Sequence, residues 1–370
     1  MFYRIFLLTL IPVLSFCHDK NDTLLVNNDS LLTKQEIQFR DSILNINLNN
    51  EKLKFLEESF NSAIKLMKSN DFITALTYLD KVLEIDSTYV MGYYNRAVCY
   101  KNLNKYSMSI FDFETSFLLD SNITDALFEK SLCFSILEDY DNAIKELKKL
   151  IIIDNKNFNA FYELGILYYR LKDYKKAITY FDSCLEINNN YAYAYHDRGS
   201  CYKLLNKPLK AINDYKTAIK IDPKTFMYNN LASTYKILNE YDLAFEAFNN
   251  SILLNPKNKI SYNNRGSLFY EQENYSKALI DFNQALKIDS NYYLALSNRA
   301  AIKQLNENYS EALEDLNKAN ELNPNNPSIL LNRGITRQML KDEIGACKDW
   351  EKASILGLEQ AKTYFINNCE

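Results

Sequence analysis

The chain contains two histidines in 370 residues, His18 and His196, so a histidine-ligated metal or a serine-histidine-aspartate triad has almost nothing to be made from. Glycine and proline are nearly as scarce, at 7 and 6, which leaves little material for strand turns and none for a glycine-rich phosphate loop. Cations are not in excess either. The 43 lysines and arginines stand against 47 acids, a formal net charge of -4, which excludes a nucleic-acid footprint. Acids such as Glu114, Glu186 and Glu271 fall at ordinary density on helix faces and read as solvated surface rather than acid-base machinery. With 47% apolar and 14% aromatic residues, what remains points to packed helices, and to a non-catalytic protein without cofactor or metal. The length exceeds one ordinary core, so the choice lies between several domains and one extended repeat array.

Long hydrophobic runs are missing as well. The apolar stretch from Ile5 to Phe16 is shorter than the roughly 20 residues of a membrane-spanning helix and, coming after Arg4, suits a signal-peptide core. It ends in Leu14-Ser15-Phe16-Cys17, which resembles the lipobox of bacterial lipoproteins, with Phe16 where that pattern has a small residue. The resemblance implies lipidation of Cys17 and a place in the cell envelope, periplasmic or at the outer membrane, with the membrane reached only through that anchor. Residues 1–17 are thus expected to be an export signal. Residues 18–51, rich in Asn, Asp and Ser, are expected to be a polar tether, within which Ser30 to Leu44 has the spacing of one short amphipathic helix.

A repeat dominates the rest of the chain. Small residues recur at Ala75, Ser109, Ala143, Ala177, Ala211, Ala244, Ala278, Ala312 and Ala346, 34 apart except for one interval of 33 between Ala211 and Ala244. Each is followed four places on by a bulky residue, Leu79, Phe113, Leu147, Phe181, Tyr215, Phe248, Phe282, Leu316 or Trp350, and then by a stop of Pro, Ser or Asn. Upstream, Phe161, Leu164, Gly165 and Tyr168 give the i, i+3, i+4, i+7 stripe of a second helix. This period and these residues resemble the tetratricopeptide repeat. Nine units begin at residues 56, 90, 124, 158, 192, 225, 259, 293 and 327. The resemblance implies an all-α, right-handed superhelical solenoid of antiparallel helix pairs over residues 52–357, closed by a C-terminal capping helix over 358–370. Leu358, Ala361, Tyr364 and Phe365 form the apolar side of that cap.

The resemblance also carries a function. In that family, positions 2, 5, 9, 12 and 13 of the first helix line a concave groove that holds a protein or peptide partner. Here this implies Met91, Tyr94, Phe128, Tyr162, Tyr169, Tyr193, His196, Phe226 and Asn263 as partner-binding residues, aromatic in the early units and more polar later, at Ser267, Ser297, Gln304, Ser328 and Gln338. Exposed aromatics off the packing register suit peptide recognition. The lysines of the family's chaperone-tail clamp are absent. Asn95, Asn230, Asn264, Asn298 and Asn332, all at position 6, either hydrogen-bond a bound backbone or cap contacts between helices. The alternative to a protein partner is a glycan or another soluble ligand.

Comparison among the units exposes one ion pair. Position 7 is Arg96, Lys130, Arg198, Arg265, Arg299 or Arg333 in six copies, and position 23 of those copies is Asp112, Glu146, Asp214, Asp281, Asp315 or Asp349. In the other three, both charges vanish together, to Ser62 with Tyr78, Leu164 with Tyr180, and Leu231 with Ala247. In an antiparallel pair turning near position 15 these positions face each other, so the pair is expected to tie the two helices of one unit. Cys99, Cys133 and Cys201 share position 10 with Leu167, Leu268 and Ile302 and read as packing residues, while Cys184, Cys347 and Cys369 have no evident partner.

Overall fold

The structure, a computed structural model, describes residues 34–369. The signal segment with Cys17 and residues 18–33 of the tether lie outside the described residues. Among those residues the regular elements are nineteen α-helices, with no strand, and the chain falls into two compact units, 1–92 and 93–370.

In the first unit α1 (Lys34–Lys68) packs on α2 (Phe72–Ile85) through Leu56, Ala63, Ala75, Leu79 and Val82, all buried. Residues 34–51, expected as part of the tether with one short helix reaching Leu44, are helical throughout. Their polarity denies them a core, yet nothing between Lys34 and Lys68 is glycine or proline, so the helix of the first repeat extends backward into solvent, with Phe39 and Leu44 exposed.

From residue 90 to residue 322 helices of 13 and 14 residues alternate, and helices of 13, 13 and 11 residues follow. They are α3 (Val90–Asn102) and α4 (Tyr106–Leu119), α5 (Thr124–Ile136) and α6 (Tyr140–Ile153), α7 (Phe158–Arg170) and α8 (Tyr174–Ile187), α9 (Ala192–Leu204) and α10 (Pro208–Ile221), α11 (Thr225–Ile237) and α12 (Tyr241–Leu254), α13 (Lys259–Glu271) and α14 (Tyr275–Ile288), α15 (Tyr293–Leu305) and α16 (Tyr309–Leu322), then α17 (Pro327–Met339), α18 (Glu343–Ile355) and α19 (Glu359–Cys369). The missing residue of the 33-residue unit is lost from the loop between α10 and α11, which is three residues long where the loop between α8 and α9 has four, so no helix is shortened.

One residue makes each hairpin. Position 15 adopts the left-handed conformation in all nine units, at Asn70, Asn104, Glu138, Lys172, Asn206, Asn239, Glu273, Glu307 and Lys341, with φ between 56° and 62°. The amide after it then donates back to close the first helix, Asp173 N–H to the Tyr168 carbonyl at 2.9 Å. The same Asp173 caps the second helix, its carboxylate accepting from Lys176 N–H at 3.2 Å. Where the two helices cross, small meets large. A Cβ added to Gly165 would lie 2.4 Å from the Phe181 ring, so this crossing tolerates nothing bulkier than glycine. The recurring small residue at position 20 is fully buried in each unit from Ser109 to Ala312.

The ion pair of position 7 with position 23 is formed as the sequence indicates. Arg265 Nε and Nη2 donate to both oxygens of Asp281 at 2.7 and 2.6 Å, and Arg198, Arg299 and Arg333 repeat the fork on Asp214, Asp315 and Asp349. The carboxylates are buried, so these are not surface pairs. The guanidinium also does more than the sequence reading assigns to it. Its remaining nitrogen reaches back into the preceding unit, at position 25: Arg198 Nη1 to Asp182 at 2.6 Å, Arg299 Nη1 to Asn283 at 2.8 Å, Arg265 to Asn249, Arg333 to Asn317. Lys130 spans Glu114 and Glu146 in the same way. The rung therefore ties repeat to repeat as well as helix to helix. The covariation was present in the sequence. Before Leu164 and Leu231, which lack the cation, position 25 is Lys148 and Lys216 instead of an acceptor.

At the C-terminus α19 lays Ala361, Tyr364 and Phe365 over Leu330, Leu331 and Trp350, the cap expected from the sequence. A disulfide between Cys347 and Cys369 fastens it, with Cα atoms 5.7 Å apart. The sequence reading left these cysteines without partners, because 22 residues separate them and only the fold back of α19 on α18 makes them neighbours.

Replacing Arg265 with Leu is expected to cost about 3 kcal/mol in denaturant unfolding, because Asp281 stays buried without its partner. Combining Arg265→Leu with Asp281→Ala should cost clearly less than the two single changes added, and a cycle showing no coupling would refute the pairing. Reducing the disulfide, or Cys347→Ser, is expected to cost about 3 kcal/mol from the loop of 22 residues. Amide exchange over 359–369 should rise first, and unchanged exchange there would mean the bond holds nothing.

Candidate functional site

Within residues 93–370, successive first helices α7, α9, α11, α13, α15 and α17 touch one another as well as their own partners, whereas each second helix meets chiefly the first helices on either side. The first helices therefore form the layer of smaller radius, and their free faces line the concave side.

On that face a row of hydrogen bonds runs between units, from position 6 of one to position 5 of the unit before. Tyr162 OH donates to Asp197 Oδ2 at 2.7 Å, Asn230 Nδ2 donates to His196 Nε2 at 2.7 Å, and Asn298 Nδ2 donates to Asn263 Oδ1 at 3.0 Å. With Nε2 of His196 accepting, Nδ1–H donates to Asp197 Oδ1 at 2.8 Å. The position-6 asparagines 230 and 298 thus cap contacts between helices. Two of the remaining rungs leave an acceptor open. Glu163, at position 6, faces the unit whose position 5 is Phe128 and makes no hydrogen bond or ion pair among the described residues. Burial pushes its carboxyl above the usual range, opposed by Arg170 and reinforced by Asp197. Asn229 Oδ1, at position 5 of its unit, is buried and also finds no partner among the described residues.

Several of the aromatics expected to line a groove come together. Tyr193 stacks on Phe226 at 6.3 Å, Phe226 meets the His196 ring edge to face at 4.8 Å, and both Tyr193 and Phe226 are about two-fifths exposed. Tyr191, which the sequence reading passed over because it precedes its helix, joins Tyr162 at 5.0 Å and Tyr193 at 5.9 Å and completes the patch. His196 itself is buried, as is Asn263, so neither presents a free surface. Tyr94 packs on Phe113 at 5.5 Å, its phenol pushed up to about 12 by burial. Tyr169 leans on Tyr174, and Phe128 packs half-buried against the Leu127–Leu167 core. Met91 belongs to the first compact unit and is about two-fifths exposed. The acids of position 6, Glu129, Glu163 and Asp197, are legible in the sequence of units 3 to 5, where the other units from the second onward carry asparagine.

Farther along the same face lies a cavity of about 300 Å³ lined by Ser267, Tyr270, Glu271, Phe282, Asn298, Ala301 and Asn332. Apart from Phe282, these come from positions 6, 9, 12 and 13 of their first helices. Glu271 is held by Lys236 at 2.6 Å.

Among the described residues this surface offers no reactive thiol. Cys99, Cys133, Cys184 and Cys201 are buried, pushed up to about 11 for Cys99 and about 12 for Cys184 and Cys201 by loss of solvent, which makes them poor nucleophiles. Among the described residues no group of His, Cys, Asp and Glu could hold a metal ion, and no helix is long and apolar enough to cross a membrane.

Models of the tetratricopeptide repeat match residues 92–123, 157–224, 227–258 and 260–292, and a TPR repeat model matches 136–172. No curated protein matches the chain in sequence. Among solved structures it resembles a tetratricopeptide repeat protein from Parabacteroides merdae, 21% identical with a TM-score of 0.56, over 67% of this chain and 99% of that one. It also resembles the Cut9–Hcn1 hetero-tetramer of APC/C, at 15% identity, TM-score 0.51, and 84% and 83% of the two chains. The pilF protein of Pseudomonas aeruginosa is 17% identical with a TM-score of 0.50, over 57% of this chain and 97% of that one. At these identities the likeness is one of fold.

Proposed function

Since the chain is a tandem array of tetratricopeptide repeats, an all-α solenoid of the kind that serves as a protein-protein interaction scaffold, we propose that its concave face holds an extended segment of a partner protein and that it performs no catalysis. The observation that carries this reading is the open cavity of about 300 Å³ on the inner face, floored by Phe282 and edged by the amides of Asn298 and Asn332. An apolar floor with a few fixed polar groups suits an apolar side chain on a hydrogen-bonding backbone. The patch of Tyr191, Tyr193 and Phe226 on the same face extends the contact over several units. Aromatic rings of this kind contribute large contact area at small entropic cost.

We place this activity outside the cytoplasm, at the cell envelope, with Cys17 carrying a lipid. The export-like segment supports that reading, and so does the disulfide between Cys347 and Cys369, since such bonds persist in oxidising compartments.

A photo-crosslinking residue in place of Tyr193, in the native cell, is expected to yield a protein adduct that disappears when Ala301→Trp fills the cavity. An adduct indifferent to Ala301→Trp, or recovery of saccharide without protein, would sink the reading. Labelling with a fatty-acid probe is expected to mark the chain and to fail on Cys17→Ala; equal labelling of both would remove the anchor.

A further inference from the structure

The open rungs on the concave face bear on the chemistry of the occupant. Three rungs of the row are satisfied internally, by Tyr162 with Asp197, His196 with Asn230, and Asn263 with Asn298. Of the rungs without such a bond, those at Glu163 and Asn229 leave an oxygen acceptor at least partly withdrawn from water with no donor among the described residues. An acceptor withdrawn from water without a donor is costly, and the carboxylate costs more than the amide.

We infer that the face built from α7 and α9 takes a lysine or arginine side chain of the bound segment, with Glu163 as its counter-charge and Tyr162, Tyr191 and Tyr193 around it. This rests on the groove reading above and names the partner's chemistry. Tyrosine faces attract cations, and Tyr191 and Tyr162 both lie within the electrostatic reach of Glu163. Neighbouring cations leave the vacancy. Arg170, one helix end away, is exposed and forms no bond to Glu163, and Lys203 on α9 donates to Ser233 Oγ at 3.3 Å. Asp197 is already satisfied by Tyr162 and His196, so it repels an anionic ligand while adding little demand of its own. A segment rich in carboxylates would meet Glu163 and Asp197 together and is disfavoured.

The test is a displayed library of random twelve-residue peptides selected on the full chain, followed by binding measurements on the selected peptides. The expected result is a lysine or arginine enriched at one register, with binding of those peptides weakened about tenfold or more by Glu163→Gln and unchanged by Glu186→Gln on the outer layer. Glu163→Gln should melt at the same temperature as the parent or higher, because it removes an unpaired, partly buried charge, so that weakened binding is not unfolding. The stability gain belongs to neutral pH. The folded carboxyl titrates above its ordinary 4.5, so the parent's penalty is present above that range and vanishes below it. Selected peptides without a basic preference, or binding indifferent to Glu163→Gln, would overturn the inference and leave the groove reading standing. Failure to select any peptide that Ala301→Trp or Tyr193→Ala weakens would overturn both.

Discussion

A helix pair of 34 residues has apolar side chains on both flanks and only one partner helix of its own, so its core is completed by the repeats on either side. Everything distinctive in residues 93–370 derives from that dependence. The tight crossing at Gly165 and Phe181 lets the two helices of a unit close on each other. The guanidinium of Arg198, Arg265, Arg299 or Arg333 then spans the joint, holding a buried aspartate on one side and an acceptor of the previous unit on the other. A buried carboxylate tolerates no vacancy, so the rung fixes the register between neighbours as well as contributing to stability. Where the cation is lost, at Leu164 and Leu231, every member of the rung is lost with it, as expected of a device that is useful only when complete.

The repeat was legible because one set of contacts is written nine times, and agreement among copies substitutes for knowledge of the fold. The pair of Arg265 with Asp281 was found in that way, from its joint disappearance elsewhere. Its second partner, Asn249, escaped because asparagine, aspartate and glutamate alternate at that position and only donor geometry shows them to be equivalent. The disulfide escaped for a different reason. It occurs once, and no internal comparison can reveal a contact made by a cap that has no counterpart. The helical run from Lys34 shows the limit of composition. The spacing marked a short helix ending at Leu44, but polarity gives no signal for where a helix stops, and with no glycine or proline to end it α1 continues to Lys68.

The concave face was legible as a set of positions. Those positions hold Tyr193 and Phe226, whose rings are accessible, and also His196 and Asn263, which are buried in bonds to the adjacent unit. A residue on the inner layer has two possible employers, the neighbouring helix and the ligand, and sequence does not say which has hired it. The residues left over, Glu163 above all, are identified only after the internal bonds have been drawn.

The bond between Cys347 and Cys369 gives the molecule a direction. In a linear stack each unit is supported by its neighbours, so melting begins at an end where support comes from one side only. A covalent clasp on the last helix suppresses fraying there. Heat, force or a protease should therefore open the final repeat of residues 93–370 after its neighbours instead of before them.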